Sequence, residues 1–338
     1  MKYHVIVFGC QMNISDAERV SAVLESVGGK ATANLQEADL VVITMCSVRQ
    51  SAVDRVHGLV EKFKELRKKN PNFKTILTGC VLKRDKKKFF EGFNYVIDIK
   101  DIKKLPEIIG GEFFASRQKN NHNNYLNITP KYSSEFSANV PIMTGCNNFC
   151  AYCVVPYARG REVSRPAQEI VQEIKSLTNP TSPRLRGARE IWLLGQNVNS
   201  YCGLIRTNGP TVDFADLLEM VNKIPGDFWI RFTSSHPKDF NKKVIEALAI
   251  GNKITPYLNL PVQAGDDKVL KSMNRYYTIK DYKNKIKMLR EKIPDIAIST
   301  DIIVGFPGET KKQFENTVKL FRDVKYDMAY INKYSPRA

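Results

Sequence analysis

The chain has 338 residues, 43% of them hydrophobic and 26% charged, an ordinary globular composition with length enough for two domains and a large buried core. Its net charge of +17 and pI near 9.5 make a polyanion, nucleic acid above all, the expected class of partner. Apolar runs such as Leu40 to Met45 fall far short of the ~18–20 residues of a membrane span, and the start runs directly into a strand, so neither a membrane segment nor a secretory leader is expected.

Tyr3 to Cys10, YHVIVFGC, reads as a strand, and Ser15 to Gly28 as a helix with Ser15 as N-cap and Gly28 at its end. Gln11, Met12 and Asn13 then fall in the turn between them. Asp39 to Cys46, DLVVITMC, is a second strand, followed by a helix from about Ser51 to Lys69. Phe73 to Cys80, FKTILTGC, is a third, followed by a basic helical stretch. A weaker strand at Tyr95 to Lys100 precedes LPEIIG. Strands alternating with helices imply a parallel sheet covered on both faces. Lysines gather at Lys62 to Asn70, Lys83 to Lys88 and Lys100 to Lys104, with arginines at Arg184 to Arg189.

Residues Ser116 to Ser137 are rich in Asn and Ser and lack apolar periodicity. The predicted organisation is therefore a domain over 1–115, a linker over 116–137 and a second domain over 138–338. In the second, ANVPIMTGC, REIWLLGQN, FWIRFTSSH, PYLNLPVQAG, IAISTDIIVGF and DMAYINKYS read as strands separated by helices. The fold class is α/β, with either a partial (β/α)6 barrel or an open doubly wound sheet in this half. Thr310 and Gln313 form a capping box for the last helix.

Cysteine is the informative residue. There are seven, an odd number in a chain expected in the reducing cytoplasm, so disulfides are not expected. Cys146, Cys150 and Cys153 form a C-x3-C-x2-C triplet directly after a strand, a loop on which three thiolates can converge on one metal centre. A closed zinc site needs a fourth ligand. Three ligands on a four-iron cluster leave one iron open for a cofactor. Cys10, Cys46 and Cys80 each follow a predicted strand, 36 and 34 residues apart. Parallel strands bring all three to one carboxyl edge, where such sheets bind ligands, and the geometry favours a second three-cysteine cluster. Cys202 is expected to be a spare thiol, and His57 and His236 structural.

The triplet, with Tyr152 before its last cysteine, resembles that of the radical S-adenosylmethionine (radical SAM) enzymes. The longer stretch IMTGCNNFCAYCVVPYARGREVSRP, Ile142 to Pro166, is similar to the methylthiotransferases among them. FGCQMN, TMCSVRQSA and TGCVL resemble the cluster-binding segments of their amino-terminal domain. LLGQNVNSY, RFTSSHP, LPVQAG and DIIVGFPGET extend the likeness over essentially the whole chain. GCQMN is similar to the branch acting on isopentenyladenosine in tRNA, the MiaB-type enzymes; branches acting on threonylcarbamoyladenosine or on a ribosomal-protein aspartate read differently there.

The resemblance implies two [4Fe-4S] clusters, one on each triplet. It implies two molecules of S-adenosylmethionine, one to methylate a sulfur of the auxiliary cluster and one to yield the radical that activates carbon 2 of the adenine. The base is expected to be extruded towards the chemistry. Tyr152, Gly195, Gln196, Asn197, Ser234, Ser235 and Gln263 are the implied cofactor contacts, with Ile303 to Gly308 near the cofactor adenine. Gln11, Asn13, Arg159, Arg161 and Arg165 are substrate-binding candidates; the arginines equally suit a cofactor carboxylate or salt bridges between domains. The implied partners are the tRNA anticodon stem-loop and an electron donor such as flavodoxin or ferredoxin, with the chain a monomer. Methylthiotransferases continue past YSPR into an RNA-binding β-barrel, the TRAM domain, which this sequence, ending at Ala338, is expected to lack. The reading from another class is a noncatalytic metal-cluster protein that binds RNA.

Overall fold

The computed structural model describes residues 1–110, 125–179, 181, 187–206 and 208–336, which fall into two compact units, Met1–Ser133 and Ser134–Ala338.

The first unit is built on a parallel sheet whose strands run Lys30–Ala31, Lys2–Phe8, Leu40–Cys46, Lys74–Cys80 and Tyr95–Val96 across the sheet. The first two are out of chain order and the rest follow in order, so the sheet reverses direction beside Lys2–Phe8. In such sheets the crevice at the reversal, beyond the carboxyl ends, is the ligand site. Every residue of Leu40–Cys46 is buried, as a strand covered on both faces requires. Val41, Ile43 and Met45 pack with Val53, Val56 and Phe63 of the helix Gln50–Lys69. On the other face the helix Gln11–Ser26 is fixed by Thr44, whose Oγ1 donates to the Asn13 carbonyl at 3.2 Å.

That helix starts earlier than the sequence suggests. Cys10 is its N-cap, and Asn13 replaces the Glu or Gln of the usual box, its Oδ1 accepting from the Cys10 backbone N–H at 3.3 Å. Ser15 is not the cap but a buried residue one turn in, where its Oγ accepts from Arg19 Nη1 at 2.6 Å. A search for Ser, Thr, Asp or Asn at the cap passes over a cysteine. The weak strand is shorter than expected, Tyr95–Val96, and turns into a 3-10 segment at Ile99–Lys104.

Of the predicted linker, residues 116–124 lie outside the described residues. From Tyr125 to Ser133 the chain lies along the Gln11–Ser26 helix: Tyr125 Oη donates to Asp16 Oδ1 at 3.2 Å, and Ser133 Oγ to Glu18 Oε1 at 2.7 Å. These partners account for an acidic pair buried on that helix.

The second unit holds all six expected strands. Ser137–Pro141, Glu190–Leu194 and Trp229–Phe232 form one parallel sheet in chain order; Tyr257–Asn259, Ala297–Val304 and Met328–Lys333 form another. A parallel bridge between Ile230 and Ile254 joins the two. Six strands in sequential order, without the reversal of a doubly wound sheet, make a partial βα barrel. The last helix, Lys311–Val324, opens with the Thr310–Gln313 box, each side chain bonding the other's backbone N–H.

Candidate iron–sulfur and cofactor sites

In the first unit the three cysteines stand at the carboxyl ends of the three central strands. Cys46 and Cys80 are register partners on neighbouring strands, and both are buried, while Cys10 is exposed. Two glycines permit the packing around them. A Cβ on Gly9 would lie 2.2 Å from Asn13 Oδ1, and Gly79, at φ +104°, would place one 2.6 Å from the Met45 carbonyl. Asn13 is completely buried, and its Nδ2 donates to the Met45 carbonyl at 3.1 Å. Its amide thus holds Cys10 against the strand that carries Cys46. Of the two expected substrate contacts on this helix, Asn13 is turned inward and Gln11 keeps partial solvent contact.

In the second unit the loop after Ser137–Pro141 carries the C-x3-C-x2-C triplet. Its entry is steric: Gly145 sits at φ +81°, and a Cβ there would lie 2.1 Å from the Arg161 carbonyl. Gly145 N–H donates to Gln196 Oε1 at 2.5 Å, so the end of the second strand holds the loop. Cys146 and Cys150 are buried. Burial raises the Cys146 thiol above its ordinary value and pushes Cys153 up to about 12; a metal of high charge overcomes that cost on binding thiolates. Two N–H donors approach Cys150 Sγ at 3.9 Å, Nη1 of Arg275 and Nε2 of His236. The Lys238 backbone N–H donates to Nδ1 of His236 at 3.2 Å, which leaves the proton on Nε2. Burial and nearby cations lower this histidine to about 2 and keep it neutral.

The other strand ends present unsatisfied acceptors. Asn197 is buried, its Nδ2 held by Asp239 Oδ2 at 2.7 Å. Its Oδ1, Ser235 Oγ and Gln263 Oε1 are buried without a hydrogen-bond partner among the described residues. Buried polar atoms are ordinarily paired, so these three oxygens are available to accept hydrogen bonds from a ligand. Ser234 and Gln263 hold positive φ, 66° and 74°, strain characteristic of binding sites. Gly195 leaves no room for a side chain, a Cβ lying 2.6 Å from Met143 Cγ. Tyr152 Oη accepts from Arg275 Nη1 at 3.0 Å.

The arginines divide. Arg165 is buried, pairing with Glu173 at 2.7 Å and donating to the Pro141 carbonyl at 2.8 Å, so its guanidinium serves the fold. Arg159 is also buried. Arg161 is exposed, its guanidinium carbon 4.5 Å from the centroid of the Phe149 ring. Cys202 is exposed on the short strand Cys202–Leu204. Neither Arg275 nor Asp239 stood out in the sequence, and His236 was expected to be structural; His236 and Asp239 share the loop after Trp229–Phe232, while Arg275 lies between the helices Asp267–Ser272 and Ile279–Lys292.

Both cysteine sets fit iron. The donors are all thiols, three in each set, the first at the ends of three parallel strands and the second on one loop after a single strand. Among the described residues no three His, Cys, Asp or Glu side chains are drawn together as tightly as a single ion requires. A cluster gives each thiolate its own iron and tolerates a wider set.

Residues 140–321 match the Radical SAM superfamily, and residues 2–99 match the family described as Uncharacterized protein family UPF0004. The chain belongs to the radical SAM superfamily. The tRNA-2-methylthio-N(6)-dimethylallyladenosine synthase of Treponema denticola is 42% identical over 100% of this chain and 78% of its own length. The protein of the same name from Carboxydothermus hydrogenoformans is 41% identical over 99% and 76%. Within the superfamily, the chain therefore belongs to the MiaB-type methylthiotransferase family. In fold it is similar to the cobalamin-dependent S-adenosylmethionine radical enzyme OxsB, solved with aqua-cobalamin and S-adenosylmethionine bound. The TM-score is 0.64 at 10% identity, over 98% of this chain and 53% of that one.

Proposed function

We propose that this chain is a tRNA methylthiotransferase that converts isopentenyladenosine beside the anticodon to its 2-methylthio derivative. One [4Fe-4S] cluster is held by Cys10, Cys46 and Cys80 and a second by Cys146, Cys150 and Cys153. The observation that carries the reading is the pair of three-thiol sets, one at the ends of three parallel strands and one on the loop that follows a strand, in a chain 42% identical to a synthase named for this product. When bound, the clusters and S-adenosylmethionine supply hydrogen-atom abstraction, sulfur and the methyl group, chemistry that side chains alone cannot provide.

The residues of the chain bind and orient. Cys10 is held through Asn13, while Cys46 and Cys80 are fixed by strand register. Gly145 and Gln196 set the triplet loop. Asn197, Ser235 and Gln263 offer their unpaired oxygens to the amino and ribose hydroxyl groups of S-adenosylmethionine, with Gly195, Ser234 and Tyr152 shaping the same pocket. Gln11 and Arg161 face the RNA, and the exposed lysines of Gln50–Lys69 and Lys83–Phe89 neutralise its phosphates. The protein works as a cytoplasmic monomer, with reduced flavodoxin or ferredoxin as electron donor. Among the described residues no helix is long and apolar enough to cross a membrane.

The test is mass spectrometry of nucleosides after anaerobic incubation of the reconstituted protein with isopentenylated tRNA, S-adenosylmethionine and a reductant. The 2-methylthio product is expected. Its absence, with product formed instead on threonylcarbamoyladenosine, would overturn the substrate assignment.

A further inference from the structure

Arg275 is 5% exposed, and its guanidinium is enclosed by uncharged groups. Nε donates to Tyr277 Oη at 2.6 Å, Nη2 to the Pro261 carbonyl at 2.5 Å, and Nη1 to Tyr152 Oη at 3.0 Å and Cys150 Sγ at 3.9 Å. Its hydrogen-bond partners are thus two phenols, a carbonyl and a thiol, with no carboxylate among them. Arg165, another deeply placed arginine of this unit, has Glu173. Isolating a guanidinium from water without a counter-ion is strongly unfavourable. The arrangement is intelligible if an anion arrives at Cys150.

We propose that Arg275 is the counter-charge of the cluster held by Cys146, Cys150 and Cys153, a positioning residue that stabilises the reduced, more negative cluster through Cys150. The inference rests on the cluster assignment above. One-electron reduction adds a negative charge to a site with little water to screen it, and the guanidinium supplies the compensating field. Tyr152 and Tyr277 keep the fork aimed at the sulfur.

The test uses the full chain with Cys10, Cys46 and Cys80 replaced by alanine, so that one cluster remains, and compares Arg275 with R275K and R275M. Dithionite titration followed by electron paramagnetic resonance should give R275M a more negative midpoint potential, with R275K between. A fully loaded R275M with an unchanged midpoint would overturn the proposal. So would an unchanged midpoint with at least tenfold weaker binding of S-adenosylmethionine, which would give the guanidinium to the cofactor carboxylate instead. If R275M takes up no cluster, thermal unfolding of the apoproteins decides. Removal of a buried, uncompensated charge should leave apo R275M melting at or above its parent; a marked fall would mean that Arg275 is only structural. A parent that binds no iron would instead refute the cluster assignment, on which this inference depends.

Discussion

The side chain of Asn13 closes back on Cys10, its Oδ1 accepting from the Cys10 backbone N–H at 3.3 Å and lying 3.6 Å from the Sγ. The same amide donates to Met45, the residue before Cys46. One buried side chain thus couples two of the three thiols of the first site and caps the helix between them.

Asn13→Ala should therefore do two things. Loss of the cap and of the buried amide bond should lower unfolding stability by about 1–2 kcal/mol, read by urea denaturation. It should also speed iron release from the first site relative to the second, read by chelator competition. Equal release from both sites would argue against the coupling.

Gly145→Ala should remove the second cluster with little effect on the first. The Cβ meets backbone rather than a movable side chain, so the triplet loop must shift. Iron content should fall by half, and the far-ultraviolet circular dichroism should change little.

Ser235→Ala and Gln263→Ala should each weaken S-adenosylmethionine binding about five- to tenfold, one hydrogen bond's worth, as measured by calorimetry on the reconstituted protein. Stability should hold, because the oxygens removed have no hydrogen-bond partner among the described residues. Large destabilisation without loss of affinity would point to a structural role.

RNA binding should weaken steeply with salt. Replacing Lys62, Lys68 and Lys87 by glutamine should make the slope of log affinity against log salt less steep by about 0.7–0.9 for each lysine that neutralises a phosphate. An unchanged slope would move the RNA to another face.

Acid should weaken the cap of the helix Ile279–Lys292. Asp281 Oδ2 accepts from the Thr278 hydroxyl at 2.7 Å and backbone N–H at 3.0 Å, and these bonds hold its carboxyl below the usual range. Its contribution is present above the unfolded value near ~4 and is lost as the pH falls through the depressed folded one. Asp281→Asn should flatten the acid limb of the stability profile, measured by thermal melts across that range.

Much of this was legible in the sequence because it rests on local pattern. Strands ending in Cys10, Cys46 and Cys80 follow from apolar runs, and their shared edge follows from parallel direction. The triplet is contiguous. What the sequence hid depends on contacts distant along the chain. Cys10 as a helix cap has no residue-type signal, so Ser15 took its place in the reading. Asn13 reads as an exposed polar residue until Met45 is brought beside it. Arg275 lies 125 residues from Cys150, and a single arginine in SMNRYYT carries no mark of its destination. Arg165 was indistinguishable from Arg161 until Glu173 supplied its partner.

The two thiol sets differ in how far they are spread along the chain. Cys146, Cys150 and Cys153 lie within eight residues, whereas Cys10, Cys46 and Cys80 span 71 and meet only when three strands have paired. Disrupted strand pairing in the amino-terminal unit would therefore scatter the first set, whereas the second stays together on the short loop that carries it.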